Sequence, residues 1–328
     1  MVSCIAATPA ACGGEARPGA PGELPTGLTA AATDDGSGSA NDTESEDETS
    51  GEPRLDVGDG ASVDRDGCRY VDILFVVDNS GSMCDAQEGL TGALPGLIDA
   101  IYESLPASTD VHVGIVTTSF SEGGSHQERN CQAQEGPVTI ESHYITGSYV
   151  SGNGYQGRLF EYEGQRYFEA NTGDSASKEP LQQWFTEAAT AVGCNGGAYE
   201  FPAAAAAYAL HPSNAEHNAG FLRDAEAALA IFVLTNEIDQ SLEPMDFYRD
   251  TILEAKAECG GADCITTAGL LSPTCVPDAN PVVWQFLNAF GSEPTWGDIE
   301  DYAGYPAIVS SALADAITDT CEEIEPIG

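Results

Sequence analysis

The sequence predicts an α/β fold in which helices cover both faces of a doubly wound, mostly parallel sheet. Apolar runs of strand length alternate along the chain with segments of helical periodicity, which is the pattern of a parallel sheet with crossover helices. The first run is near-continuously apolar, which is typical of a strand buried on both faces. At 328 residues the chain has enough material for a full hydrophobic core.

The elements are assigned in chain order from residue 70. They are a strand at 70–77, a helix at 85–105, a strand at 111–120, helices at 181–192 and 201–210, a strand at 227–235, a helix at 245–258, a strand at 265–271 and a helix at 308–318. The strands are predicted from apolar runs, and the first helix is predicted from the helical spacing of Leu90, Leu94 and Ile101. The helix at 201–210 is an alanine run that allows close packing. In such a sheet ligands bind at the carboxyl ends of the strands.

Most of the charged residues are acidic. The chain has 53 Asp and Glu against 11 Lys and Arg, a net charge of −42. Nucleic acids and anionic membrane surfaces are therefore not expected as partners, because basic side chains are needed to neutralise their phosphates. The same acidic surface attracts divalent cations.

The first 67 residues are expected to lie outside the folded domain. Residues 1–12 loosely resemble the end of a bacterial lipoprotein signal, with Cys4 or Cys12 as the lipidated residue and the true start upstream or trimmed. Residues 13–67 have almost no large apolar side chains and are predicted to be a disordered acidic linker. No apolar run of about 18 residues occurs, so membrane contact is expected only through a lipid anchor.

Cysteine usage indicates an exported protein. Eight of the ten cysteines fall in the segment predicted to fold: Cys68, Cys84, Cys131, Cys194, Cys259, Cys264, Cys275 and Cys321. An even number of widely spaced cysteines favours disulfide bonds formed in an oxidising compartment. A zinc site is not expected, because the sequence shows no HExxH motif and no set of clustered ligands.

The stretch DNSGSM, residues 78–83, directly follows the first predicted strand. Side chains two positions apart face the same way in an extended turn, so Asp78, Ser80 and Ser82 are predicted to converge above the sheet edge. One carboxylate and two hydroxyls suit a hard divalent ion such as Mg²⁺ or Ca²⁺, with Mn²⁺ as an alternative. Because hydroxyls add no charge, such an ion stays electrophilic and accepts a carboxylate from a partner.

The stretch from Asp72 to Met83 resembles the first strand and DxSxS loop of von Willebrand factor A-type domains, the metal-dependent adhesion fold shared with integrin I domains. The chain looks most like the bacterial lipoprotein branch, and the likeness includes GCNGGAYEFP and AIFVLTNEIDQS further along the chain. It implies one such domain over residues 68–328, with an insertion at 119–175. In this fold the domain ends lie close together, which implies a Cys68–Cys321 disulfide. A local bridge is expected among the cysteines at 259, 264 and 275.

The resemblance also implies a metal-ion-dependent adhesion site with two departures from the family pattern. In the family, a threonine before a central helix and an aspartate after the fourth strand complete the metal shell. The aspartate position is Asn236 here, with Glu237 and Asp239 beside it, and Glu200 is best placed at the threonine position. The expected surround is therefore Asn236 with either Glu200 or Asp239. The alternative for Glu200 is a carboxylate that stabilises a helix N-terminus.

The insertion at 119–175 is rich in glycine and tyrosine, and is predicted to be β-rich. Residues 159–169, LFEYEGQRYFE, have the alternating pattern of a hairpin around Glu163 and Gly164. Two interpretations remain open for its tyrosines. They contact a protein or sugar ligand near the metal face, or they pack a small β-ribbon against the sheet.

Two functions remain open from the sequence. The first is a secreted or surface-tethered adhesion module, expected to be monomeric, that engages an acidic group of an extracellular protein or glycan through the ion. The second is a structural surface protein whose metal site is degraded. An enzyme is not expected, because Ser80 lacks a GxSxG setting and Asp78 lacks the second aspartate of a phosphoaspartyl enzyme.

Overall fold

The computed structural model describes residues 69–120, 152–196, 200–223, 227–241, 243–273, 282–291 and 294–315. The strands in this part of the chain are β1 (Tyr70–Val77), β2 (Asp110–Thr117), β3 (Tyr167–Asn171), β4 (Ala227–Thr235), β5 (Ile265–Leu271) and β6 (Thr295–Asp298). The helices are α1 (Cys84–Ser104), α2 (Ser175–Val192), α3 (Pro202–Leu210), α4 (Met245–Ala255), α5 (Val282–Leu287) and α6 (Tyr305–Asp315). None of these helices is both long and apolar enough to cross a lipid bilayer.

The described strands form one sheet in the order β3-β2-β1-β4-β5-β6. Neighbouring strands are parallel except at β3, which runs antiparallel to β2 at one edge. At the carboxyl end of β1, Val77 lies opposite Thr117 of β2 and Leu234 of β4. The strand order thus reverses at β1, which confirms the predicted doubly wound sheet. The carboxyl ends of β1, β2 and β4 lie side by side at this switch point, where ligands bind in folds of this kind.

β1 is buried on both faces of the sheet, as its apolar sequence predicts. On one face Phe75 packs with Phe185 and Phe232, at ring-centroid distances of 4.6 and 5.2 Å, in a core shared with α1, α2 and α6. On the other face Leu74 packs in a core with the alanines of α3 and apolar side chains of α4 and α5. Helices therefore cover both faces, as predicted.

Strand ends follow the prediction except at β2. β1, β4 and β5 have the predicted bounds. The strand predicted at 111–120 ends at Thr117, because Thr118 turns towards α3. The Thr118 N–H still donates to the Val77 carbonyl at 3.1 Å, but its own carbonyl accepts the Phe201 N–H at 3.0 Å. This turn brings the residues after β2 towards the end of β1.

Helix ends differ from the prediction where capping groups or glycines were overlooked. α2 begins at Ser175, earlier than predicted, because the Asp174 carboxylate accepts the Ala176 N–H at 2.9 Å and caps the helix. α4 ends at Ala255, earlier than predicted, and the chain then passes through Gly261 at a φ of 69°. The predicted positions of α1, α3 and α6 hold to within three residues in the described part of the chain.

Sequence patterns did not reveal β3 as a sheet strand, nor α5 and β6. In the insertion, Glu163 and Gly164 form the predicted turn at φ values of 50° and 80°, and Tyr162 and Gln165 pair across it. The chain then continues into β3, which joins the sheet edge. For the described part of the insertion, this favours the interpretation of a ribbon packed against the sheet.

Two disulfide bonds link described cysteines. Cys84 at the start of α1 bonds to Cys194 after α2, and Cys259 bonds to Cys264 before β5. The second bond is the expected local bridge, whereas the sequence did not predict the first pair. The remaining cysteines lie outside the described residues: Cys4, Cys12, Cys68, Cys131, Cys275 and Cys321. The Cys68–Cys321 pair, the signal remnant and the acidic linker therefore stay predictions.

Candidate functional site

Asp78 lies at the buried floor of the candidate site. It directly follows β1, and its side chain is fully buried. Its Oδ1 accepts the Ser80 backbone N–H at 2.8 Å, and its Oδ2 accepts the Thr235 hydroxyl at 2.6 Å. Burial raises the pKa of Asp78, and these hydrogen bonds oppose that rise. The Ser80 hydroxyl and the Asn236 backbone also hydrogen-bond to Asp78 and lower its pKa, so the carboxylate is held by the loops after both β1 and β4.

The two serines of the loop face each other and the residues after β4. The Ser80 and Ser82 hydroxyl oxygens are 2.8 Å apart. Ser82 Oγ also lies 2.9 Å from Asn236 Oδ1 and 2.7 Å from Glu237 Oε1. A hydroxyl has one proton to donate, so Ser82 cannot donate to both of these acceptors. The arrangement therefore concentrates oxygen lone pairs around Ser82.

Glu200 approaches this cluster from the loop before α3. It is fully buried, and its Oε2 accepts the Thr118 hydroxyl in a short hydrogen bond. Its Oε1 has no hydrogen-bond partner among the described residues, although it is buried. The pKa of Glu200 is raised well above the usual value by burial, then by the negative charge of Asp78, and then by Glu237. A buried carboxylate oxygen without a partner is unfavourable unless a proton or a cation binds it.

Asp239 is placed differently from the other predicted ligands. Its Oδ2 accepts the Ala203 N–H at 2.9 Å, and its Oδ1 accepts the Ser241 N–H at 2.8 Å. Asp239 thus caps the N-terminus of α3, and burial raises its pKa to about 6. Of the two residues expected to complete the site, Glu200 is therefore the one with an oxygen still to be satisfied.

Asn79, the amide residue of the DNSGSM stretch, holds neighbouring loops together. It is buried, and its Oδ1 accepts the Ser119 hydroxyl at 2.8 Å. Its backbone carbonyl accepts the Gly196 N–H at 2.7 Å. Asn79 therefore ties the loops after β2 and α2 to the loop that carries Asp78, and it is a positioning residue.

Sequence reasoning missed the two threonine hydroxyls that support the carboxylates. Thr118 donates to Glu200, and Thr235 donates to Asp78. Thr190, the threonine nearest in sequence to the family position, instead bonds to the Thr186 carbonyl within α2. Thr118 follows β2 and Thr235 ends β4. Their position at the carboxyl ends of predicted strands, where ligands bind in such sheets, is the sequence feature that could have identified them.

The donor set fits a hard divalent cation. Among the described residues, no three His, Cys, Asp or Glu side chains form a metal-binding group by themselves. Here the oxygens come from a mixed set of carboxylate, hydroxyl and amide groups, which Mg²⁺, Ca²⁺ and Mn²⁺ accept. The observation that supports the fit is Glu200 Oε1, which is buried without a hydrogen-bond partner in the described part of the chain, near the charge of Asp78.

No protein-family model matches the sequence, and a search of curated proteins finds no match. Solved structures similar to the chain include a von Willebrand factor type A protein from Catenulispora acidiphila. It is 17% identical, with a TM-score of 0.39, over 76% of this chain and 43% of that one. The chain thus spans less than half the length of that protein.

Two further solved structures show a similar degree of likeness. The pilus adhesin SpaC from Lactobacillus rhamnosus GG is 16% identical, with a TM-score of 0.37, over 76% of this chain and 30% of that one. Manganese-loaded TRAP protein from Plasmodium vivax is 13% identical, with a TM-score of 0.35, over 76% of this chain and 75% of that one.

Proposed function

We propose that the chain is an exported, surface-located binding module with a von Willebrand factor A-type domain. In this proposal, a divalent cation held after β1 and β4 engages an acidic group of an extracellular protein or glycan. One observation carries it. The buried Glu200 Oε1 has no hydrogen-bond partner among the described residues, and it lies close enough to Asp78 for the two charges to interact. The disulfide bonds support an oxidising compartment outside the cytoplasm.

The ligands divide into charged and neutral groups. Asp78 and Glu200 supply two negative charges, which balance a divalent ion. The neutral oxygens come from Ser80, Ser82 and Asn236, which add no charge. When bound, the cation supplies an electrophile that accepts a carboxylate oxygen from a partner.

The exposed rim of the site gives a partner access. Ser82 is exposed, whereas Asp78, Ser80 and Glu200 are buried. A partner would therefore reach a bound cation from the Ser82 side. Glu237 stands on this rim with its Oε1 at 2.7 Å from Ser82 Oγ, and it is the group that a partner's carboxylate would have to displace.

A purely structural role for the cation is the second candidate, and Glu237 favours it. With Glu237 retained at the rim, the protein's own carboxylates can surround the ion and leave no position for a partner. The site would then stabilise the fold, as expected for a surface protein with a degraded adhesion site.

Water-proton relaxation of the Mn²⁺-loaded protein separates these candidates. A binding module has an exchangeable water on the ion, and acetate, as the simplest carboxylate probe, displaces it and lowers the relaxation enhancement. Glu237→Gln should then strengthen acetate binding, whereas Glu163→Gln, at an exposed turn, should leave it unchanged. A bound ion with no exchangeable water and no response to acetate would support the structural role.

Asn236 gives a second test of the charge balance. Asn236→Asp adds a negative charge beside Ser82 Oγ, so calorimetry should show tighter Mg²⁺ and Mn²⁺ binding than in the wild type. Unchanged affinity in this variant would remove Asn236 from the proposed site.

A further inference from the structure

The Cys84–Cys194 disulfide joins the two loops that carry the buried carboxylates of the site. Cys84 begins α1 directly after the DNSGSM loop, which holds Asp78, and Cys194 lies between α2 and Glu200. Their Cα atoms are 5.1 Å apart, although 110 positions separate them in the sequence. The bond therefore connects, at the switch point, two segments that the chain itself does not link locally.

A second contact fastens the same two loops. Gly196, between Cys194 and Glu200, donates its N–H to the Asn79 carbonyl at 2.7 Å. The approach is so close that a Cβ on Gly196 would lie 2.3 Å from Asn79 Oδ1. Cys194 is thus attached covalently to the start of α1, and Gly196 contacts the DNSGSM loop through its backbone.

We propose that the Cys84–Cys194 disulfide positions Glu200 in the cation site, and that its reduction weakens cation binding. The inference rests on the proposed function, because it concerns regulation of the same site. Without a cation, Glu200 Oε1 is buried with no hydrogen-bond partner among the described residues, so the carboxyl group gains solvation by moving outward. A covalent link between the two loops opposes this movement and keeps Glu200 in place for the ion.

Cys84 is exposed, which makes this bond the more accessible of the two to a reductant. A dithiol reductant attacks one sulfur through its thiolate, and a mixed disulfide forms. The second thiol of the reductant then attacks the mixed disulfide and releases the protein sulfur. The reductant thereby becomes a disulfide, while Cys84 and Cys194 gain two electrons and two protons. By contrast, Cys264 is buried, and Cys259 Sγ contacts the Ala227 carbonyl at the amino end of β4, away from the site.

Paired serine variants of the full chain test the inference by calorimetry with Mn²⁺. Cys84→Ser with Cys194→Ser should lower Mn²⁺ affinity by about 10–100-fold, the effect of losing a group that orients a metal ligand. The matched control is Cys259→Ser with Cys264→Ser, and its Mn²⁺ affinity should stay within about twofold of that of the wild type. Equal affinity in the Cys84 and Cys194 variant and the wild type overturns the inference while leaving the proposed function intact. Absence of Mn²⁺ binding by the wild type overturns both.

Two further measurements keep the inference testable if the serine variant folds poorly. Stepwise reduction of the wild type with dithiothreitol, with thiol alkylation and mass spectrometry, should show affinity falling in step with reduction of Cys84–Cys194. Affinity that survives complete reduction of this bond overturns the inference. In Glu200→Gln protein, removing the disulfide should have little further effect on affinity. An undiminished effect there would mean that the bond does not act through Glu200.

Discussion

Glu200 is a residue at which fold stability and cation binding are expected to oppose each other. Its Oε1 is buried without a partner among the described residues, close to the charge of Asp78. We expect Glu200→Gln to raise the free energy of unfolding in chelator by about 1–3 kcal/mol, because a neutral amide replaces the unsatisfied charge. The same variant should lose at least about tenfold in Mn²⁺ affinity by calorimetry. Glu163→Gln is the exposed control, and a variant that loses both stability and affinity would contradict this account.

The raised pKa of Glu200 also predicts a pH dependence of the cation-free protein. The folded state holds this proton more tightly than the unfolded state, for which the pKa is near 4.5. The stabilising contribution is therefore complete below that pH and is lost as pH rises through the raised folded value. In chelator, the stability of wild type relative to Glu200→Gln should fall as pH increases from about 4.5. A pH-independent difference in denaturant unfolding would show that Glu200 does not titrate in this way.

The residue types of the site were partly predictable from sequence. The contact between the Ser80 and Ser82 hydroxyls was, because side chains two positions apart face the same way in an extended turn, whereas their role as cation ligands stays a prediction. Thr118 and Thr235 were not, because their hydroxyls meet the carboxylates only once strands distant in sequence have paired.

Among the elements, the loop that carries Gly196 has the tightest packing requirement. In Gly196→Ala the new methyl group would overlap the Asn79 side chain, so either that buried side chain leaves its hydrogen bond with Ser119 or the two loops separate. We expect a loss of about 1–3 kcal/mol in the free energy of unfolding and weaker Mn²⁺ binding. Gly92→Ala in α1 is the control, since nothing lies within 4 Å of its added Cβ. The free energy of unfolding of that control should rise by about 0.5–1 kcal/mol. Equal changes in stability and Mn²⁺ affinity in the two variants would argue against the loop contact.

The strands buried on both faces were the elements best predicted from sequence. β1, β4 and β5 are continuous apolar runs, and their bounds match the prediction. β3 and β6 are short strands at the two edges of the sheet, with partly exposed side chains that give no apolar run. Their pairing is set by the neighbouring strands, a long-range contact that local sequence does not encode.

For the molecule as a whole, the state of the cysteines tests the proposed exported location, because disulfide bonds form in oxidising compartments. Non-reducing peptide mass spectrometry of the purified chain should recover Cys84–Cys194 and Cys259–Cys264, and we expect Cys68–Cys321 with them. A Cys68–Cys321 disulfide closes so long a loop that it contributes roughly 5 kcal/mol on a chain-entropy basis. Free thiols at all of these positions would contradict the exported location.

A calorimetric titration of Mn²⁺ or Mg²⁺ into the full chain tests the central claim most directly. We predict one saturable site in the wild type. Asp78→Asn should lose at least about tenfold in affinity, because Asp78 is a buried carboxylate of the site. Asp246→Asn, which removes the same charge from the exposed surface of α4, should bind as the wild type does. No binding by the wild type at millimolar concentration, or unchanged binding by Asp78→Asn, would contradict the account.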